Sequence, residues 1–138
     1  MNDLFTLLLF SHVIGDFFLQ PAAMATKKGS ANWMCVLHCL IYATSVCAFT
    51  KFAPLWFLFI FVSHYIVDRY SVADKWLRMI KGRDLEGFLA RGHEGIPKGF
   101  NKENYLALRA AFSAICYVIV DNSIHLMSMY YFAKYLWT

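Results

Sequence analysis

The chain has 138 residues, a single domain's worth, of which 59% are hydrophobic and only 16% charged, with a formal net charge of +4. A soluble domain averages about 45–50% apolar and about 25% charged residues, because folding at this length leaves roughly a third of the surface to be covered by polar groups. The composition therefore excludes a soluble enzyme, a disordered chain and a disulfide-stapled secreted module, and predicts an all-α integral membrane protein.

The first predicted element is a span over residues 4–20. It is closed at Gln20-Pro21, because the residue before a proline leaves helical geometry. The tail Met1-Asn2-Asp3 lacks the basic residues of a secretory signal, and the apolar stretch carries His12 and Asp16. Both features point to a retained helix rather than a cleaved leader. Residues 20–31 read as a connecting loop. Residues 29–50 hold 22 consecutive positions without Asp, Glu, Lys or Arg, long enough to cross a hydrocarbon layer of about 30 Å; the second span is set at 32–50.

A third span covers 54–70, started at Pro54, and a fourth covers 106–132. Between them lies a polar region, 71–104. Its first part places Val72, Trp76, Met79 and Ile80 among Asp74, Lys75, Arg78 and Lys81, the pattern of an interfacial amphipathic segment. From Gly82 to Asn104 come five of the seven glycines, which predicts an irregular loop, with His93 a solvated residue in it. The four cysteines (Cys35, Cys39, Cys47, Cys116) lie in apolar stretches without C-x-x-C spacing and read as packing residues. The expectation is one transmembrane domain over 1–138: a bundle of four helices with an amphipathic segment and loop in the cytoplasm.

Lys27 and Lys28 in the 20–31 loop, with the nine Lys and Arg of segment 69–109, place eleven cations on one side, against Lys51 and Lys134 on the other. By the positive-inside rule the basic side is cytoplasmic and both termini lie outside. The expected partners are membrane lipids, with a homo-oligomer left open and nucleic acid not expected.

Seven histidines and aspartates fall inside the spans: His12, Asp16, His38, His64, Asp68, Asp121 and His125. Each costs at least about 2.5–3.5 kcal/mol at membrane depth, so each asks for a functional reason. His12/Asp16, His64/Asp68 and Asp121/His125 are spaced i, i+4, which stacks each pair on one helix face. The order reverses in the descending fourth span, so all three carboxylates sit nearer the cytoplasm and the imidazoles deeper. Imidazoles and carboxylates converging from several helices form a transition-metal site in helix bundles. The expected cofactor is one or two divalent transition metals, zinc first, with manganese or iron as alternatives. All seven residues are candidate ligands; Asp16, Asp68 and Asp121 are candidate catalytic carboxylates. Gln20, on the face of His12, reads either as a substrate or ligand contact or as a helix-end cap; Gly15 reads as a helix-packing residue.

The same residues resemble a known family. Ser11-His12-Val13-Ile14-Gly15-Asp16-Phe17-Phe18-Leu19-Gln20 resembles the H-x-x-G-D-[FW]-x-x-Q opening of small bacterial and phage membrane proteins called the domain of unknown function 3307. Leu37-His38-Cys39-Leu40-Ile41-Tyr42, Ser63-His64-Tyr65-Ile66-Val67-Asp68 and Asp121-Asn122-Ser123-Ile124-His125-Leu126 are similar to its other three span motifs. The resemblance implies a four-span protein of a bacterial inner membrane and carries no established activity. More distantly, the layout is similar to membrane-bound metal-dependent hydrolases, including zinc-containing ceramidase-like enzymes, an analogy of chemistry only. The first functional expectation is a metal-dependent hydrolase acting on a lipid or lipid-linked substrate. The alternatives are a carrier of protons or divalent cations, and a phage or bacterial membrane protein acting by interaction alone.

Overall fold

The computed structural model describes residues 3–27, 31–81 and 101–137, and every regular element among them is helical. Helix α1 spans Leu4–Val13, capped by Asp3, whose carboxylate accepts from the Phe5 amide and the Thr6 hydroxyl. It runs into a π-helical turn, Ile14–Phe18, where the Leu19 amide donates to the Ile14 carbonyl five residues back. Helix α2 is Ala22–Lys27, α3 is Asn32–Phe49, and α4 is Pro54–Arg69 with its proline at the first turn, where no amide hydrogen is needed. Helix α5 is Val72–Lys81, preceded by Ser71 in the left-handed region at φ 48°. Helix α6 runs unbroken from Lys102 to Trp137.

Three expectations shift. The 20–31 segment is not only a loop, because α2 occupies much of it. The first span ends in a widened turn rather than a uniform α-helix. The last helix extends past both ends of 106–132; its 36 residues measure about 54 Å at 1.5 Å each. Residues 82–100 of the expected irregular loop, His93 among them, lie outside the described residues, while its last three, Lys102 to Asn104, are helical and begin α6. Two helices, Asn32–Phe49 and Glu103–Leu136, are long and apolar enough to cross a membrane; Leu4–Phe18 is a shorter apolar helix.

The chain divides into two compact units: Met1–Ser71 with Ser123–Thr138, and Val72–Asn122. In the first unit neighbouring helices run antiparallel. His12 pairs with Tyr42 while Gln20 pairs with His38, so α1 rises as α3 falls. Trp56 meets Thr50 while Arg69 meets Asn32, which sets α4 against α3. Trp56 stacks near Phe132 and His64 on His125, so the end of α6 descends beside α4. The apolar core gathers at one end around Leu8, Val46, Trp56, Ile60, Met129 and Ala133, all buried. The polar cluster lies one to two turns further along each of these helices. The second unit contains α5 and the first half of α6; on α5 Ala73 and Leu77 are buried, Trp76, Met79 and Ile80 are exposed, and Asp74 pairs with Arg78 at 2.8 Å.

Candidate metal centre

Four helices of the first unit each deliver an imidazole to one place. His12 comes from α1, His38 from α3, His64 from α4 and His125 from α6, and all four are 0–2% exposed. Asp16 and Asp68 join them, also buried. Helical periodicity sets His12 with Asp16, and His64 with Asp68, on one helix face. Burying an ionisable group without a partner costs several kcal/mol, so these buried groups lie against one another.

The tightest contacts surround His38. Its Nε2 lies 2.9 Å from Nε2 of His64, 3.2 Å from Oδ1 of Asp16 and 3.2 Å from Oδ2 of Asp68. Nε2 of His64 is 3.3 Å from Oδ2 of Asp68 and 3.9 Å from Oδ1 of Asp16. Two ligands at the usual 2.0–2.2 Å from one tetrahedral ion lie about 3.3–3.6 Å apart. All five of these distances fall within about half an ångström of that range without any adjustment. The donor atoms of Asp16, His38 and His64 lie within 4.8 Å of one another, as do those of His64, Asp68 and His125, so either triad can hold a metal ion. Imidazole with carboxylate suits zinc, manganese or iron alike.

Each carboxylate also turns its second oxygen outward. Oδ2 of Asp16 is 3.9 Å from Nε2 of His12, and Oδ1 of Asp68 is 3.4 Å from Nε2 of His125. The π-helical turn bears on the first of these. With the turn widened around Asp16, its closest imidazole is His38 on α3 rather than His12 one turn back on its own helix. Single π-turns of this kind are frequent at functional sites. Gly15 inside the turn lets α3 approach: a Cβ there would sit 2.9 Å from Cδ2 of Tyr42 and 3.4 Å from Cβ of Ser45.

Tyr42 is the residue that a search for charges inside spans passes over, because a phenol is neutral and common in apolar stretches. The available signal was its position four after His38, on the same helix face. Its ring stacks on His64 with centroids 3.7 Å apart and planes at 19°. Its hydroxyl is hydrogen-bonded to Nδ1 of His12 at 2.6 Å and donates to Sδ of Met129 at 3.4 Å. Gln20, half-buried beyond the π-turn, brings its side-chain amide to 3.3 Å from Nδ1 of His38, a contact with the cluster rather than a simple helix cap.

Asp121 is buried but belongs to the second unit, whereas the other six candidates belong to the first. The cluster described here is therefore His12, Asp16, His38, His64, Asp68 and His125. None of the four cysteines pairs in a disulfide.

The chain matches no curated protein and no solved structure. Residues 4–138 match the family model described as a protein of unknown function, DUF3307, and the chain belongs to that family.

Proposed function

We propose that this protein is a four-span membrane protein whose bundle holds a divalent transition metal between His38, His64 and the Asp16 and Asp68 carboxylates, and that it hydrolyses a lipid or lipid-linked substrate. The observation that carries the metal is the convergence of two imidazole Nε2 atoms and two carboxylate oxygens at 2.9–3.9 Å in a buried place. In a medium of low polarity such a set is held together by shared protons or by a cation, and a divalent ion can engage all four atoms at once.

The membrane reading is supported by an inverted surface. Phe10, Phe18, Trp33, Leu55, Leu58 and Tyr131 are exposed, while the histidines and aspartates of the cluster are buried. In water, contiguous apolar surface of this kind is avoided; against lipid tails it is solvated. The first and third helices are short for isolated spans and gain length only by tilting or by leaning on α3 and α6. With the basic segments in the cytoplasm, the end carrying Gln20, Asn32 and Arg69 faces the cytoplasmic leaflet, and a lipid substrate reaches the centre from there.

A divalent ion held here supplies Lewis acidity and a water acidified toward neutral pH. The chain's own groups do the rest. His38 and His64 would hold the ion with one of the two carboxylates, and the other of Asp16 and Asp68 would accept a proton as general base. Gln20, beside His38 and half-buried, is placed to hydrogen-bond a substrate carbonyl or phosphoryl group.

The test is elemental analysis of the full-length chain purified in mild detergent. Near-stoichiometric zinc, manganese or iron is expected, and His38→Ala and His64→Ala should each remove it. Metal-free protein that also fails to bind added ions would end this reading. Hydrolysis is tested by product release from bacterial lipid extracts, abolished by EDTA. Metal binding without product, together with cation flux in reconstituted vesicles that His64→Ala stops, would make the protein a carrier instead.

A further inference from the structure

Helix α5 supplies no ligand to the metal centre, yet it carries three distinct faces within ten residues. At about 100° per residue, Ala73 and Leu77 fall on one side, and both are buried against the rest of the chain. Met79, Val72, Trp76 and Ile80 fill the adjoining sector of about 100°. Burial of Ala73 and Leu77 does not cover that sector: Trp76, Met79 and Ile80 are each half or more exposed. Asp74, Lys75 and Arg78 occupy the remaining side.

This pattern belongs to α5 itself and does not continue an apolar span. The chain leaves helical geometry at Ser71, whose φ of 48° lies in the left-handed region that residues other than glycine seldom adopt. The Ser71 amide donates to the Asp68 carbonyl at 3.3 Å, which closes α4 before α5 begins.

Size and charge together select what covers the exposed sector. Ten residues rise about 15 Å on a cylinder about 10 Å across, so the sector offers on the order of 150 Å², whereas a stable protein interface takes about 800 Å² from each partner. A lipid surface sets no such minimum, because the rest of the chain already holds the helix beside it. The sequence of α5 carries Lys75, Arg78 and Lys81 against the single carboxylate of Asp74. Asp74 pairs with Arg78 at 2.8 Å and offsets part of its charge, while Lys75 is exposed. Cations flanking an apolar sector that contains a tryptophan suit the plane of an anionic bilayer surface, where the rings and aliphatic stems sit among the acyl chains and the charges reach the headgroups.

We propose that α5 docks on anionic phospholipid: Trp76, Met79 and Ile80 enter the acyl boundary of the leaflet on the basic side of the chain, and Lys75 and Arg78 bind its phosphate headgroups. This rests on the membrane reading above and is independent of the metal. Each cation near an anionic surface is worth about a fivefold preference. With Asp74 offsetting part of one, α5 should favour an anionic over a zwitterionic surface by roughly 5- to 30-fold.

The experiment places the full-length chain in bilayer nanodiscs of phosphatidylcholine alone or mixed with phosphatidylglycerol, and reads amide hydrogen exchange by mass spectrometry. Residues 72–81 should exchange roughly 5- to 30-fold more slowly with phosphatidylglycerol, while Asn32–Phe49 exchanges alike in both discs. The difference should shrink between about 0.1 and 0.5 M salt and vanish when Lys75→Gln and Arg78→Gln are combined. Trp76→Ser should speed exchange of 72–81 in both discs. Equal exchange of 72–81 in the two discs, a slowing shared equally by 32–49, or a difference that survives the double substitution overturns the proposal. So does protection that rises with the number of chains per disc, which would mark a second copy as the occupant, or a Trp76→Ser variant that exchanges as before. A chain that stays in solution without detergent or bilayer overturns the membrane reading and this proposal with it.

Discussion

Gly15→Ala tests whether the close approach of the π-turn to α3 positions the centre. Two effects oppose each other. Alanine is favoured over glycine inside a helix by about 0.5–1 kcal/mol through backbone entropy. Against that, the new Cβ would lie 2.9 Å from Cδ2 of Tyr42, about half an ångström inside an ordinary carbon contact, and 3.4 Å from both Cβ of Ser45 and Cα of Tyr42. The Tyr42 ring has little room to yield, with His64 stacked on one face at 3.7 Å and the hydroxyl tied to His12 at 2.6 Å. Overpacking of this kind costs about 1–3 kcal/mol, so the steric term wins and a net loss of roughly 0.5–2 kcal/mol is expected. Because the ring that must move orients His12 and covers His64, metal affinity should fall as well, by about 10- to 100-fold for loss of such support. Denaturant unfolding in detergent reads the first quantity and titration with a chelator-buffered metal reads the second. A stabilised variant with unchanged affinity would refute the reasoning, since it would mean that Tyr42 shifts freely.

The other expectations concern single contacts. Tyr42→Phe keeps the ring but removes the hydroxyl; metal affinity should drop about 10- to 100-fold, stability should fall by about 1–3 kcal/mol, and the His12 nitrogen resonances should shift as the 2.6 Å contact is lost. Asp68→Asn should cost far more metal binding than Asp74→Asn, because Asp68 lies among three imidazoles whereas Asp74 pairs with Arg78 on the partly exposed α5; equal losses would sink that ranking. Protons compete for the same nitrogen and oxygen lone pairs, so affinity should weaken as the pH is lowered, with protons released on binding. Calorimetry in buffers of different ionisation heat checks the sign; affinity independent of pH would remove histidine from the ligand set. Trp56→Ala should cost about 3–5 kcal/mol without changing metal stoichiometry, since Trp56 fills the apolar end of the first unit and donates to Thr50 at 2.9 Å.

Much of this was legible in the residues themselves. An apolar chain with a few ionisable groups at helical spacing has little choice about which faces turn inward, because desolvation penalises every alternative. The helical class, the start of α4 at Pro54 and the inventory of imidazoles and carboxylates follow from that constraint and from the 3.6-residue period. What period and composition cannot specify is distance between helices. The π-turn at Ile14–Phe18 depends on a hydrogen bond to a carbonyl five residues back, and the tight approach at Gly15 depends on the neighbour it meets. Which oxygen of Asp16 or Asp68 faces which imidazole is decided by how α1, α3, α4 and α6 pack against one another, and Tyr42 joins the centre only because α3 brings it against His12 and His64. A spacing rule ranks residues by the cost of burying them; the tertiary structure alone decides what each one touches once buried, since that depends on contacts between residues 30 to 87 positions apart.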